Sequence, residues 1–366
     1  MMEWLQTMPF TACNAMIRLN KLNITLFYWL ILVGCNHTEY LDFSPPIFPD
    51  TTHLEGKIVV DNFIMGASFD IDLYNNTLFV VAYTGEEEEA LHLFNKNDGN
   101  HIKSILPKGR GPGEALTVSH IDIDRKNGNV YFYDYVANKM HHFSSDSVIH
   151  HVEFKKFMHS CRYPIYMYRV LKADSRLIAV KGLTEANGKH PRLSIINKDT
   201  IISKYYDFPP VRMQEKNGIE ATYNYSEYSI CAEKNKIVCT CFYGGILEIF
   251  DIGKDEIKLN CIKGLFRPVY NLYEKTVPIR TSRTVFGFAD VYATPADIFT
   301  IFCGSNDHKA TNKIAVFDWN GECKHLYITD YRLSKLCIDE KSKTIYCKKL
   351  FSRIMAATDD KIRKSV

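Results

Sequence analysis

The chain has 366 residues, 46% of them hydrophobic and 24% charged, with a formal net charge of +3 at pH 7. Nothing in so small a charge suggests nucleic acid, which would need a concentrated basic stripe, and none is expected as a partner. Tyr and Phe, 22 of each, suit strands better than helices, and one large all-β domain is expected.

The first segment does not belong to that domain. Met16-Ile17-Arg18-Leu19-Asn20-Lys21 is short and basic, Ile24 to Val33 is almost wholly apolar, and Leu32-Val33-Gly34-Cys35 follows. This is the order of n-region, h-region and processing site in a secretory signal. The apolar run, about ten residues, is too short to span a bilayer as a helix. Leu32-Val33-Gly34-Cys35 resembles the bacterial lipobox, which implies cleavage before Cys35 and a diacylglyceryl group on its thiol. Several acyl chains on one residue anchor a protein stably where one would not. Residues 1–34 are therefore expected to be a lipoprotein signal peptide, with Met16 its natural start, and removing them turns the charge of +3 into +2. Residues 35–53, with Pro45, Pro46 and Pro49, are expected to form a tether.

From residue 54 a strand, turn, strand unit recurs six times. With Val130 as reference, a gap-free alignment places Leu78, Leu177, Ile237, Ile298 and Ile345 at equivalent positions, at intervals of 52, 47, 60, 61 and 47 residues. Asn75-Asn76, Asn127-Gly128, Asp174-Ser175 and Lys234-Asn235 fill hairpin turns. A third strand follows in most copies, as in Leu91–Asn95, Leu193–Asn197 and Leu247–Asp251, and then a fourth, as in Ile201–Tyr205 and Glu256–Leu259. Four strands in each ~50-residue period predict a six-bladed β-propeller of antiparallel blades, spanning residues 54–366. Closure supplies an independent argument, since a ring must hide the free edges of its first and last blades. The sixth copy runs out of chain before a fourth strand, while Gly56-Lys57-Ile58-Val59-Val60 is a strand with no partner of its own. The ring is expected to close on it; a solenoid would have no use for it.

Nine cysteines follow Cys35. Cys239 and Cys347 align with Val80, Phe132, Ala179 and Thr300, which marks them as small core residues, and Cys239 and Cys241 point the same way along one strand. Free thiols are expected. No Cys-x-x-Cys pair exists, so neither metal nor cofactor is expected.

The first blade-to-blade link holds Gly109-Arg110-Gly111-Pro112-Gly113-Glu114. It lacks the lysine and the strand-to-helix context of a phosphate loop and reads as a tight preset turn. Arg110 is expected either to extend over the mouth as an anion-binding group or to pair with Glu114. That motif, followed by Ile121-Asp122-Ile123-Asp124 and Val130-Tyr131-Phe132-Tyr133-Asp134, resembles the TolB-like six-bladed β-propeller lipoproteins of Gram-negative bacteria. The resemblance covers residues 56 to about 358 and implies a lipid-anchored protein of the cell envelope, at the outer membrane. It carries over no catalytic residues. The chain departs from the family pattern at its end, where Arg353–Val366 is polar and weak in strand formers.

Two links, Pro209–Tyr228 and Leu265–Phe286, are about a dozen residues longer than the rest, and long loops on a rigid scaffold are where binding is commonly built. Tyr225, Glu227 and Tyr228 in the first, Arg267 and Arg280 in the second, and Arg110 and Arg332 in other links are the candidate binding residues. Glu86–Glu89 reads as a solvated loop. Around the axis the candidates are Ser68, Asp70, Ser119, His120, Asp122, Tyr166, Glu227, Phe286, Asp290 and Arg332, of which His120 and Glu227 combine acid or base capacity with a place at the mouth. Two functions follow. One is a monomeric, non-enzymatic binding or scaffolding module for an envelope protein, peptide or glycan. The other is an axial-site hydrolase or lyase of the metal-dependent lactonase type, with His120 and Glu227 as its acid–base pair.

Overall fold

A computed structural model describes residues 40–61, 67–83, 89–150, 154–162, 166–181, 191–198, 200–213, 218–274, 276–349 and 353–358. The signal segment, Cys35, Glu86–Glu88, the side chain of Ser68 and residues 359–366 lie outside them. Leu41–Val366 forms one compact unit.

Six antiparallel sheets make a six-bladed propeller. Blade 1 is built from Ala67–Tyr74, Thr77–Tyr83, Glu89–Asn95 and His101–Pro107, from the axis outward. The inner strands of blades 2 to 6 are Ile121–Asp124, Arg169–Ala173, Ser226–Cys231, Phe286–Ala293 and Leu333–Asp339. Second strands are mostly apolar, and in blade 1 Leu78 to Ala82 are all fully buried. A blade is covered by neighbours on both faces, so both sides of its second strand must be apolar, as in a buried parallel sheet. The aligned positions Val80, Phe132, Ala179, Cys239, Thr300 and Cys347 are all sealed in this way, and the nine described cysteines are free.

The ring closes as expected. Lys57–Val60 pairs antiparallel with Ile354–Thr358 and supplies the outer strand of blade 6. Ile354–Thr358 is itself a strand, although the sequence around it is poor in strand formers, because Ile354 and Met355 bury completely between two partners. Within the stretch expected as a tether, Leu41 donates to the Pro210 carbonyl and Ser44 to that of Gly264. Phe48 then packs edge-on against Phe302 and Phe317, at 6.1 and 5.9 Å between centroids, and Thr51–His53 adds a parallel fifth strand to blade 5.

The gap-free register needs one correction. The inner hairpins of blades 1, 3 and 5 turn through two residues, whereas those of blades 2, 4 and 6 turn through four: 125–128, 232–235 and 340–343. Inner-strand residues of the odd blades therefore sit two places from where a gap-free alignment on Val130 puts them.

Between blades 3 and 4, Arg192 and Glu248 form a fully buried ion pair, with the guanidinium 4.0 Å from the Tyr223 ring centroid and 5.0 Å from that of Phe208. Removing one member leaves the other as an uncompensated buried charge. Glu248→Ala is expected to cost about 3–5 kcal/mol of unfolding free energy in chemical denaturation, with Glu248→Ala/Arg192→Met recovering part of it.

Candidate functional site: the axial ring and the loop-rich rim

In the corrected register each inner strand contributes one residue three places before the partner of the reference position. Those residues are Asp70, His120, Arg169, Glu227, Asp290 and Lys335, one ionisable side chain per blade. They form one continuous chain of contacts across the axis. His120 Nδ1 lies 3.6 Å from Asp70, Asp70 4.0 Å from Arg169, and Arg169 3.4 Å from Glu227. Glu227 lies 3.1 Å from Lys335, and Lys335 2.9 Å from Asp290. Two of these links skip a blade, so they tie non-adjacent parts of the ring together.

The aspartates also stitch neighbouring blades. Asp70 accepts from the Ile121 amide at 3.1 Å and Asp290 from the Leu336 amide at 2.9 Å; one step below, Asp122 accepts from Lys172 N at 2.6 Å and Ser229 Oγ from Ala293 N at 3.0 Å. Beneath the ring, Arg125 reaches from the longer hairpin of blade 2 to Asp72 at 2.6 Å and to the Tyr292 hydroxyl. A cavity beside Asp70, Asp122, Arg169 and Asp290 is about 30 Å³, room for a water and not for a metabolite.

Charge follows from this packing. Burial opposes ionisation of Asp70, but His120 and the Arg169 and Lys335 cations bring it down to about 2. Burial likewise pushes Glu227 up, and Lys335, His120 and Arg169 outweigh it, holding the carboxylate below its usual range. Burial, then the Arg169 charge, lowers His120. The expected acid–base pair is thus brought to one ring, yet at neutral pH both members are in the proton-accepting form, and each is engaged by other residues. Asp290 goes the other way: burial and the Glu227 and Asp70 charges push it up to about 6 despite Lys335. Two cations already stand among the ring carboxylates, and among the described residues no group of three or more His, Cys, Asp or Glu is placed to hold a metal ion.

Sequence reasoning placed Asp70, His120, Asp122, Glu227 and Asp290 near the axis and missed Arg169 and Lys335. Arg332, named in place of Lys335, is exposed outside the ring. Lys335 stands ten places before Ile345, as His120 does before Val130 and Glu227 before Ile237, so the gap-free repeat already carried it; Arg169, eight places before Leu177 as Asp70 is before Leu78, needed the two-residue shift between odd and even hairpins.

Links between blades and loops joining second to third strands share the face at the Glu227 mouth. Glu227 is 25% exposed there at its side chain. His120 Nε2 touches the Tyr168 hydroxyl at 3.3 Å, and Lys181 lies 5.0 Å over the Tyr168 ring. Lys181 donates to the Asn224 carbonyl at 3.1 Å, and Asn224 to that of Thr276 at 3.3 Å. This carries the surface from the mouth to a projecting hairpin, Tyr270–Tyr273 with Val277–Arg280. The hairpin buries Tyr270 and Pro278 and exposes Tyr273, Val277 and Ile279. Tyr225, 45% exposed, meets Tyr243 edge-on at 5.3 Å, and Arg280 bonds His308 at 3.1 Å. Tyr228, expected on this face, is 2% exposed inside the core between blades 3 and 4, because strand alternation turns it away from its neighbour Glu227. Arg267 is exposed 5.8 Å over Phe43, in a separate cleft with Arg212 and Arg283.

The Gly109–Glu114 turn is held by Glu114, whose carboxylate accepts from the Gly111 amide at 2.7 Å and not from Arg110. A Cβ on Gly109 would stand 1.9 Å from that carboxylate, and Gly113, at φ +81°, packs on Lys155, so these glycines serve the turn.

A family model described as TolB-like 6-blade propeller-like matches residues 47–341. The chain belongs to this family. Solved structures similar to this TolB-like propeller include a Bacteroides fragilis protein described as exported (13% identity, TM-score 0.53, covering 87% of this chain and 98% of that one). Another is a member of the DUF4221 family from Bacteroides vulgatus (10%, 0.52, 84% and 98%). A third is a Xanthomonas campestris gluconolactonase (9%, 0.50, 88% and 99%). At these identities the likeness shows the fold alone. No curated protein sequence matches the chain.

The raised value of Asp290 has a consequence for stability. From 3.8 unfolded to about 6 folded, the folded protein holds the extra proton across that window, so the wild type loses stability as pH rises through it. Asp290→Asn lacks this slope. In thermal or urea unfolding its stability relative to wild type is expected to climb by on the order of 2 kcal/mol between pH 4 and pH 7.

Proposed function

We propose that this protein is a lipid-anchored propeller of the Gram-negative cell envelope, at the outer membrane, which binds an envelope protein, peptide or glycan on its loop-rich face and catalyses no reaction. One observation carries the reading: the axis is filled by paired charges, while the rim of blades 3 to 5 offers solvent a continuous surface of Tyr168, Tyr225, Tyr273, Val277 and Ile279 edged by Lys181 and Arg280. Tyrosines of this kind give large contact area at low conformational cost, to a peptide or to the apolar face of a sugar. The N-terminal signal and Cys35 support an envelope address, as does likeness to a protein described as exported. The axial hydrolase alternative loses support because both of its candidate residues are in the proton-accepting form at neutral pH, and Glu227 is held between Arg169 and Lys335.

Affinity capture by the full-length protein from detergent-solubilised envelope, read by mass spectrometry, tests this. A specific partner is expected with wild type and is expected to fall at least tenfold with Tyr225→Ala/Arg280→Ala, whereas Glu227→Gln leaves capture unchanged. In the same cells, Cys35→Ser is expected to abolish incorporation of labelled fatty acid. Capture that survives the rim changes and is lost with Glu227→Gln would move the site to the axis.

A further inference from the structure

A second concave site lies over blade 2, apart from the rim. Its walls come from three segments distant in sequence: the Gly109–Glu114 turn, the loop before the third strand Lys139–Ser144, and the residues after the outer strand His159–Cys161. The cleft measures about 550 Å³. Arg110, Lys139 and Arg162 line it, one from each wall, and among the described residues no carboxylate pairs with any of them.

Two carboxylates are present, and both are already engaged by the backbone. Asp134 accepts from Leu116 N at 2.6 Å, Thr117 Oγ1 at 2.8 Å and Ala137 N at 2.9 Å. Glu114 is held by Gly111 N. The bonding directions of Asp134 are spent on loop geometry, and Glu114 fills the turn that would otherwise offer amides to a ligand. The side chains are therefore what the cleft presents.

His141 supplies the independent observation. It lines the same cleft, is 3% exposed, and stacks on Phe132 at 4.8 Å. Its Nδ1 sits 2.7 Å from Ser160 Oγ, while its buried Nε2 has no partner among the described residues. With the serine hydroxyl donating to Nδ1, Nε2 carries the proton and is a donor without an acceptor, an arrangement that native structures rarely leave unanswered.

We propose that this cleft binds an oxyanion, a carboxylate, sulfate or phosphate, borne by a small ligand, with Arg110 and Arg162 as fork-shaped donors, Lys139 as a point charge and His141 Nε2–H as a fourth donor. Guanidinium forks match such planar or tetrahedral groups in two-point contacts. The proposal does not depend on the partner-binding rim: the residues are different, and a failure at one face leaves the other standing.

Isothermal titration and thermal-shift measurements on the full-length protein, with sodium phosphate, sodium sulfate and sodium glucuronate against sodium chloride at equal ionic strength, decide it. Saturable binding of at least one of the three is expected, with Kd raised tenfold or more in Arg110→Ala and again in Arg162→Ala. Both residues are exposed, so the variants fold, which an unchanged melting temperature in chloride checks. Arg283→Ala, in the separate arginine cleft, is expected to bind like wild type. No saturable effect beyond chloride for all three salts, full affinity in the Arg110 and Arg162 variants, or equal loss in Arg283→Ala would overturn the proposal.

Discussion

Six inner strands converge on an axis from which bulk water is nearly excluded, and every charge placed there must find its counter-charge on another blade. That constraint organises the molecule. A buried ion costs several kcal/mol unless paired and hydrogen-bonded, and this ring pairs its members in sequence, from His120 through Asp70, Arg169, Glu227 and Lys335 to Asp290. Because contacts run between blades 1 and 3 and between blades 4 and 6, the axis adds cross-ties to a ring whose apolar contacts mostly join neighbouring blades. The aspartates at the same level accept amides of the next blade, which fixes the offset of adjacent inner strands.

Filling the axis moves function outward. With the channel occupied by the protein's own charges, a partner meets the two faces of the ring, among them the mouth with the links between blades and the loops joining second to third strands. Loop length is unevenly spent there. The long link before blade 5 becomes a hairpin that exposes Tyr273, Val277 and Ile279, while the short link before blade 2 is cinched by Glu114 into a rigid turn, leaving Arg110 for solvent. One scaffold thus offers two chemically distinct surfaces, an aromatic rim over blades 3 to 5 and a cationic cleft over blade 2.

The propeller was legible in the sequence because its signal is repeated and tied to burial. Second strands are mostly apolar, Leu78–Ala82 throughout, and the spare strand at Lys57–Val60 had no other place to go. The axial ring was half legible. Asp70, His120, Glu227 and Asp290 stood out as polar residues in apolar strands; Arg169 was hidden by the alternation of two- and four-residue hairpins, whereas Lys335 shared the offset of His120 and Glu227 and was overlooked. A gap-free repeat cannot see a turn that changes length without changing the strands beside it. Tyr228 failed for another reason: its link begins polar and exposed, and only the pairing of Tyr228 with Cys239 reveals that the strand has already started. The apolar stretch at Ile354–Ala357 was short and stood in a polar tail, so its strand became visible only with both partners in place.

The claim on which the rest depends is that the ring charges act as one coupled unit across the axis. A double-mutant cycle on Glu227→Gln and Lys335→Met, residues of blades 4 and 6 in contact at 3.1 Å, tests it most directly by urea unfolding at pH 7. The account predicts a coupling energy of about 1.5–3 kcal/mol, with the double variant less destabilised than the sum of the singles. Additivity within about 0.5 kcal/mol would mean that the two groups do not sense each other, and the axis would then be a solvated channel, open to a ligand.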